Sequence, residues 1–511
     1  MSTTSSSCRA DAWRLDRRSV LLGAAALSAC GQRTVPTDTL RVATATLPDS
    51  LDPARGEFAS AALVYKQIHA GLTEYGADGQ LAPGLAERWE VTPDGRAWTF
   101  ILREGLAWSD GRPLTAHDIA WSARRLVDPA QSFAILGDFQ NVVNARAIVS
   151  GDADADTLGV EVVNDRAVRF NLASPLGLFP LLMREFYPFP RHVIERVGDE
   201  WVRPANWVCA GAYTVESVSQ VDMVLARNPY FHDRARVSIP RIHLQAVRED
   251  ATRVRLFRAG DLDLADNPPA QQIDFLRRQL GDQFQSFEAP ILRYLKPNHA
   301  RTPLNDPAVR AALSAAIDWD FLAREIFNGT ASPAQTVLKK TRFDRPEPAP
   351  VSIDRPLEIR TTTGIGERLA VSIADDWRRI GVESEILVTY PTDLYQAVDA
   401  GAFDLAVASF NRGLKTDAFF MLDPFAPEGF AANFNWQDET FAERMRMARE
   451  ESDPATRLVA YAAAEQRLLE ETAIIPLVHE NAHWLVADRV TGTRPDVQPQ
   501  VWRELGIAGP A

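Results

Sequence analysis

Short stretches in which apolar and polar residues alternate predict β-strands along much of the chain. Residues 40–45 and 96–103 alternate in this way, and the second stretch follows a Pro-Asp-Gly turn. Residues 160–172 hold two such stretches on either side of Asn164-Asp165, a dipeptide typical of hairpin turns. Three further strands are predicted at residues 357–361, 384–388 and 405–409.

Apolar residues spaced three and four apart predict helices between these strands. Thr115 followed three residues later by Asp118 resembles a capping box, which predicts that a helix begins there. The other predicted helices cover residues 59–72, 307–317, 367–380, 441–451 and 454–471. This mixture predicts an α/β protein with mixed sheets, and no internal repeat is evident.

Length and composition narrow the class of protein. At about 150 residues per domain, 511 residues suggest roughly three domains. Hydrophobic residues make up 46% of the chain and charged residues 24%, which excludes wholesale disorder, collagen and a polytopic membrane protein. The formal net charge of −13 argues against a broad nucleic-acid interface, because phosphates repel an acidic surface.

The first 29 residues have the pattern of an export signal. Arg17-Arg18 precede an apolar run of about ten residues, whereas a membrane span needs about 20. The segment 16–21 resembles the twin-arginine export pattern. Leu27-Ser28-Ala29-Cys30 resembles a bacterial lipobox, in which Cys30 is lipidated after cleavage. We therefore expect a signal peptide at 1–29 and a tether at 30–38; the alternative is ordinary export with an incidental cysteine.

The positions of the cysteines agree with an exported protein that is stabilised by its apolar core rather than by disulfides. Cys8 lies in the leader and Cys30 at the cleavage site, so only Cys209 remains in the mature body. No intrachain disulfide is available to that body. We expect Cys209 to be a small buried apolar side chain.

An ordered set of motifs carries a family resemblance. From about residue 39 to the C-terminus the chain resembles the extracytoplasmic solute-binding proteins of peptide ABC importers, the oligopeptide- and dipeptide-binding family. The motifs, in order, are Leu85-Ala86-Glu87-Arg88-Trp89-Glu90, Trp108-Ser109-Asp110-Gly111, Arg227-Asn228-Pro229-Tyr230-Phe231, Phe257-Arg258-Ala259-Gly260-Asp261-Leu262-Asp263, Pro303-Leu304-Asn305-Asp306-Pro307 and Gly401-Ala402-Phe403-Asp404.

The resemblance implies a two-lobed α/β periplasmic-binding-protein fold with an extra domain in the first lobe and a ligand cleft between the lobes. By analogy, the first lobe comprises residues 39–69, 193–293 and 480–511. The extra middle domain is expected at 70–192 and the second lobe at 294–479. The lobes close over the ligand by a hinge motion.

The resemblance also suggests site residues, with departures from the pattern of peptide binders. In the family an aspartate close after a Trp-containing strand end holds the peptide amino terminus. Here Phe410-Asn411-Arg412-Gly413 puts phenylalanine in place of the tryptophan and glycine in place of the aspartate. Val407 and Gly366 stand where some members have an arginine and a histidine for the ligand carboxylate.

Several other residues are candidates for the cleft. Glu57 and Tyr294 keep an acidic and an aromatic position of oligopeptide binders. Arg412 brings a positive charge, and Asp417 is a possible substitute acid, unless the two form a solvated loop pair. His479 and Glu480 are expected on a crossover strand near the ligand, the alternative for His479 being a buried or rim position.

A competing interpretation rests on His479-Glu480-Asn481-Ala482-His483, which matches the H-E-x-x-H pattern of zinc peptidases. That chemistry needs a helix, where both histidines bind one Zn²⁺ and Glu480 acts as base. The flanking apolar residues predict extended chain instead, in which residues four apart lie about 13 Å apart.

The leader and the family resemblance together predict the solute-binding component of an ABC importer: an exported protein that is tethered through Cys30, is not an enzyme and has no cofactor. Its expected partners are a peptide or other small polar solute and the subunits of an ABC permease. We expect a monomer in the periplasm. Because Gly413 replaces the aspartate, we also expect weak discrimination in favour of a free α-amino group.

Overall fold

Strands from both ends of the chain join in one large mixed sheet. The computed structural model describes residues 37–55, 59–76, 80–129, 137–339, 341–343, 350–411, 417–427, 435–494 and 498–508. The strands in chain order are β1 (Thr39–Thr44), β2 (Thr73–Tyr75), β3 (Leu81–Pro83), β4 (Ala86–Val91), β5 (Ala97–Leu102), β6 (Val160–Asn164), β7 (Ala167–Asn171), β8 (Tyr213–Val218), β9 (Asp222–Arg227), β10 (Arg241–Ala246), β11 (Leu264–Asp266), β12 (Phe284–Pro297), β13 (Ala331–Pro333), β14 (Leu357–Thr362), β15 (Ser384–Thr389), β16 (Leu405–Asn411), β17 (Ile475–Val486), β18 (Val490–Thr491) and β19 (Gly506–Ile507).

Helices cover the sheets. In chain order they are α1 (Ala59–Ile68), α2 (Ala116–Val127), α3 (Ala145–Val149), α4 (Phe179–Leu182), α5 (Arg191–Val197), α6 (Asp250–Arg258), α7 (Ile273–Leu280), α8 (Pro307–Ala315), α9 (Trp319–Phe321), α10 (Ile365–Arg379), α11 (Pro391–Asp399), α12 (Ala418–Leu422), α13 (Glu439–Glu450) and α14 (Pro454–Glu470). In the part of the chain described above, no helix combines the length and apolar character that a membrane crossing requires.

The large sheet has the order β15-β14-β16-β12-β17-β11-β1-β10-β9-β8, with β13 added beside β17. Its two ends contain parallel strands: β14 runs parallel to β15 and β16, and β1 runs parallel to β10 and β11. The long strands β12 and β17 pair antiparallel in the middle. The sheet therefore has two halves that are joined by one long two-stranded ladder.

The strands of each predicted lobe lie together in this sheet order. The boundaries of the lobes stay predictions. Strands of the expected first lobe lie on the β8–β11 side, and strands of the expected second lobe lie on the β14–β16 side. Residues 70–192 contribute a separate four-stranded sheet with the order β4-β5-β7-β6. The mixed α/β fold predicted from the sequence is thus confirmed.

Two apolar cores stabilise the halves of the large sheet. In the β14–β16 half, Leu369, Ile373 and Trp377 of α10 pack on Ile359 and Leu405. A larger core runs from β1 through the four-stranded sheet to α13 and α14. Removing this much apolar surface from water is the main favourable contribution to folding.

Most predicted elements are confirmed, with small changes at their ends. The strands at 40–45, 96–103 and 160–172 are present, and the Asp118 carboxylate accepts a hydrogen bond from the Thr115 amide at 2.9 Å. The helix predicted at 59–72 is wrong beyond Ile68. The chain turns there because the Leu72 amide donates to the Met183 carbonyl at 3.1 Å, outside the helix. Cys209 is buried, as expected, and burial raises the pKa of its thiol to about 11.

Candidate functional site

The two sets of parallel strands point their carboxyl ends toward each other. β16 ends at Asn411, which pairs with Ile291 of β12. β11 ends at Asp266, which pairs with Trp484 of β17, at the level of Gln285 in β12. In open α/β sheets, ligands bind outside the carboxyl ends of strands. The interval along β12 between these two levels, on the order of 20 Å, is therefore the candidate cleft.

The ladder that bridges this cleft is irregular. Its register shifts between Glu288 and Ile291, so Ala289 and Pro290 interrupt the pairing with β17. Proline has no amide hydrogen to donate, and a bulge bends the strand that carries it. The pairing between the two long strands is interrupted at this point, which marks it as the candidate hinge.

An aromatic cluster lies at the β16 side of the cleft. The ring of Tyr294 is 6.0 Å from that of Phe410 and 5.4 Å from that of Phe425, and the latter two are 5.8 Å apart. All three residues are buried. Burial raises the pKa of the Tyr294 phenol, and the nearby Tyr395 phenol adds to this shift. Tyr395 itself is 67% exposed.

His479 lies on the same sheet face as Phe410. Leu292 pairs with both residues, so the three occupy one row across β16, β12 and β17. The His479 Nε2 atom is 3.0 Å from the Thr336 carbonyl oxygen. Burial lowers the pKa of His479 to about 4, and the charge of Lys339 lowers it further, against the Thr336 contact. His479 is therefore a neutral, buried histidine.

Glu480 points to the opposite face, since successive residues of a strand alternate. Its carboxylate forms an ion pair with the Arg293 guanidinium. Arg293 also lies over the ring of Phe327, with 5.9 Å between the guanidinium carbon and the ring centroid. The structure thus separates His479 from Glu480 rather than bringing them to one side of the sheet.

Of the remaining predicted site residues, the structure describes some and not others. Asp417 caps α12, because its carboxylate accepts a hydrogen bond from the Phe419 amide at 2.9 Å. Asn411 is exposed at the end of β16. Glu57, Arg412, Gly413 and the lipidation candidate Cys30 lie outside the described residues.

The H-E-x-x-H motif lies within β17, as the flanking residues predicted. His479 and His483 are therefore about 13 Å apart along an extended strand, too far apart to bind one zinc ion. The His483 Nδ1 atom is 2.9 Å from the Ser286 hydroxyl, and its ring stacks on Phe284. Across the ranges described, no three His, Cys, Asp or Glu residues form a group that could hold a metal. The geometry does not fit a zinc peptidase.

Comparison with known proteins decides the family. Residues 80–354 match the bacterial extracellular solute-binding proteins, family 5. The chain belongs to this family. Its members bind solutes and are not enzymes, which agrees with the position of the H-E-x-x-H residues in a strand.

Individual relatives cover most of this solute-binding protein. It is 28% identical over 466 residues to the periplasmic oligopeptide-binding protein OppA of Salmonella typhimurium, covering 84% of this chain and 85% of the relative. It is also 28% identical over 464 residues to YgiS of Escherichia coli, a probable deoxycholate-binding periplasmic protein, covering 85% and 86% of the two chains.

Solved structures confirm the fold. The murein tripeptide-binding protein MppA in its unliganded open form superposes with a TM-score of 0.81 at 24% identity, covering 93% of this chain and 98% of that one. Haemophilus influenzae OppA in complex with RPPGFSPFR gives a TM-score of 0.69 at 25% identity, covering 92% and 99%. The periplasmic-binding-protein fold expected from the motifs is therefore confirmed.

The sequence did not reveal every residue of this solute-binding protein's candidate cleft. Phe425 joins the aromatic cluster, and the charge of Lys339 interacts with the Glu288 carboxylate and disfavours protonation of His479. The pattern Leu338-Lys339-Lys340 signals a basic spot but not that its first lysine is partly buried. Such positions depend on contacts between segments far apart in the chain.

Two surface depressions lie elsewhere on the protein. One, of about 460 Å³, is lined by Arg41, Asp263 and Arg489, whose charged groups already pair with one another. The other, of about 410 Å³, lies between Phe321 and Arg379 on the outer side of α10. Neither depression opens at the carboxyl ends of the strands, so neither replaces the cleft as the candidate site.

Proposed function

We propose that this solute-binding protein captures a peptide in the cleft between β11 and β16 and presents it to the permease of an ABC importer. The observation that carries this proposal is the arrangement of the large sheet. Two sets of parallel strands point their carboxyl ends at one interval, and among the strands that the structure describes the irregular β12–β17 ladder crosses it. Such an arrangement favours closure around a solute held between the halves.

Several cleft residues are proposed as solute contacts. Tyr294, Phe410 and His479 lie on one face of the sheet, and Asn411 lies at the end of β16 on the opposite face. Glu57, Arg412 and Gly413 are proposed from the resemblance alone. Asp417 and Glu480 are proposed as acids at the edge of the cleft, and each already has a partner within the protein.

A second candidate ligand class is an amphipathic solute that is not a peptide. The observation that favours it is the equal identity, 28%, to a protein named for oligopeptides and to one named for deoxycholate. The buried rings of Tyr294, Phe410 and Phe425 give the β16 side of the cleft an apolar backing, which suits either a hydrophobic side chain or a fused-ring body.

Mass spectrometry of the solute released from freshly purified, denatured protein tests this proposal. We expect a co-purifying peptide, and a sterol-like acid would favour the second candidate. Protein that has been unfolded and refolded without solute is the matched control and should release nothing. Stoichiometric zinc together with peptide cleavage would contradict the transport function altogether.

We also propose that the protein is exported, by the twin-arginine route, to the periplasm and anchored there through a lipidated Cys30. Several relatives are named as periplasmic proteins. Lipidation with a diacylglyceryl group and an additional acyl chain provides stable anchoring. Cys30→Ala should therefore release the protein from membranes or leave its leader uncleaved, whereas Cys8→Ala should change neither. Cell fractionation measures both, and unchanged processing and membrane association of Cys30→Ala would contradict the proposal.

A further inference from the structure

Lys339 carries a partly buried ammonium group at the edge of the cleft. Within the described ranges it has no hydrogen-bond or ion-pair partner. Burial lowers its pKa, and the carboxylate of Glu288 only partly offsets this effect. A cation that has lost part of its hydration without gaining a partner is costly. Such a group is expected to gain an anion when the protein performs its function.

The segment that carries Lys339 is held firmly in place. The Ala334 amide donates to the Leu477 carbonyl of β17 at 3.0 Å. The Leu338 amide donates to the buried Glu465 carboxylate of α14 at 2.6 Å, and the Thr341 hydroxyl donates to the Leu338 carbonyl at 2.7 Å. These anchors on two separate elements fix the backbone beside Lys339, so its side chain starts from a defined position.

The segment that carries Lys339 lies against the bridging ladder, because the Thr336 carbonyl oxygen is 3.0 Å from the His479 Nε2 atom on β17. The charge of Lys339 interacts with the Glu288 carboxylate on β12 and disfavours protonation of His479. Glu288 pairs with Asn481, so Glu288, Asn481 and His479 share one face of the sheet, which is also the face of Phe410. The buried Nδ1 atom of His479 has no hydrogen-bond partner in the described part of the chain. An unpaired cation and an unpaired imidazole nitrogen thus lie next to the aromatic wall.

We propose that Lys339 binds a carboxylate of the solute beside the hinge, and that the protein selects solutes carrying a carboxylate next to an apolar group. This inference rests on the proposed function. The apolar group would lie against Phe410 and Tyr294, and the carboxylate would lie between Lys339 and the hinge. A lysine ammonium suits this position because it accepts an anion from several directions.

The competing explanation is that Lys339 forms an ion pair with Glu288 when the cleft closes. In that case Lys339 would stabilise the closed state for every solute alike, whether or not the solute carries a carboxylate. The two explanations therefore differ in whether the loss of affinity on replacing Lys339 depends on the charge of the solute.

The test compares two libraries of N-acetylated tripeptides, one with free carboxylates and one with C-terminal amides. The full-length mature protein is incubated with both libraries, and bound peptides are identified by mass spectrometry. Wild type should retain acids at least tenfold better than matched amides. Lys339→Met and Lys339→Gln should lose this preference, while Arg342→Met, a change at an exposed cation three residues away, should keep it.

Each other outcome contradicts the inference. Equal retention of acids and amides by wild type overturns the carboxylate contact but leaves peptide binding intact. An equal loss of both libraries in Lys339→Met, with unchanged circular dichroism, assigns Lys339 to closure instead. If neither acetylated library binds, the same pair of libraries with free amino termini is compared by the same criteria. If those do not bind either, the peptide proposal fails, and deoxycholate is compared with its uncharged methyl ester. Equal binding or no binding of that pair overturns the inference as well.

Discussion

His69 shows how burial sets the protonation of a single side chain. Its ring lies 5.1 Å from that of Tyr187, 5.7 Å from Tyr65 and 5.6 Å from Trp207, and it is only 4% exposed. Burial lowers the pKa of His69 to about 4, although a contact with the Leu51 carbonyl opposes the shift. The folded protein therefore holds this imidazole neutral at a pH where the unfolded chain protonates it.

His69 should make the folded protein less stable as the pH is lowered. Between the unfolded pKa near 6.5 and the folded pKa near 4, the unfolded state binds more protons, so lowering the pH favours unfolding. Between pH 7 and 4.5, wild type should lose about 2–3 kcal/mol more unfolding free energy than His69→Gln. Urea titrations at both pH values measure the difference. The exposed His117→Gln is the control, and identical losses in wild type and His69→Gln would refute the expectation.

Gly413 leads to a second prediction for one residue. A bound ammonium in a closed cleft needs a carboxylate, because an unpaired buried charge costs several kcal/mol. With glycine where the family has aspartate, a peptide and its N-acetylated form should differ in affinity by less than about tenfold, or 1.4 kcal/mol. Calorimetry with such a pair measures this ratio. A larger loss on acetylation would mean that another acid binds the amine, and Glu57→Gln and Asp417→Asn would identify it.

At the scale of elements, Asp263 joins three segments of the first half of the sheet. Its carboxylate is fully buried and accepts hydrogen bonds from the Arg41 amide and side chain on β1 and from Arg489 after β17. Burial alone would raise the pKa of Asp263, but the hydrogen bonds from Arg489 and Arg41 outweigh it and leave the pKa below its usual range. Arg489 also donates to the Thr39 carbonyl at 2.8 Å, which fixes the start of β1.

Removing this carboxylate should be costly. Asp263→Ala leaves two guanidinium groups facing each other without an anion, so we expect a loss of about 3–5 kcal/mol in unfolding free energy. The matched control is Glu216→Ala, which breaks the exposed Arg241–Glu216 pair and should change little. Urea unfolding at pH 7 measures both variants. A loss in Asp263→Ala no larger than in the control would show that the network does not hold these segments.

The elements also show what the sequence could predict. Alternation in 96–103 and 160–172 identified β5, β6 and β7, because one face of each strand meets the apolar core. The extended state of His479–His483 was predictable from the apolar residues around it. The bulge at Ala289-Pro290 depends on how β12 and β17 pair across almost 200 residues of chain, and the partial burial of Lys339 depends on packing against distant segments. Local patterns do not encode such long-range registers.

At the scale of the whole molecule, the chain segment of the four-stranded sheet contacts the helical hairpin of α13 and α14, away from the β12–β17 ladder. The loop before α4, in the chain segment that also forms the four-stranded sheet, meets the turn between α13 and α14. The Gly177 amide donates to the Arg449 carbonyl at 2.8 Å, and the Arg457 guanidinium reaches the Gly177 and Glu451 carbonyls at 3.5 and 3.0 Å. This clasp restrains how the helical hairpin lies against the rest of the protein.

Gly177 is required for the clasp because no side chain fits there. A Cβ atom at this position would lie 1.9 Å from the Glu451 carbonyl oxygen and 2.6 Å from the Ser452 amide nitrogen, both of them backbone atoms. Gly177→Ala should therefore separate the two segments. We expect faster amide hydrogen exchange at residues 176–178 and 449–453. We also expect the unfolding free energy to fall by an amount on the order of 1–3 kcal/mol, which lowers the thermal transition by a few degrees. Ser452→Ala, which alters an exposed side chain at the same contact, should change neither. Protection at 449–453 equal to that of wild type would mean that the clasp does not hold these two segments together.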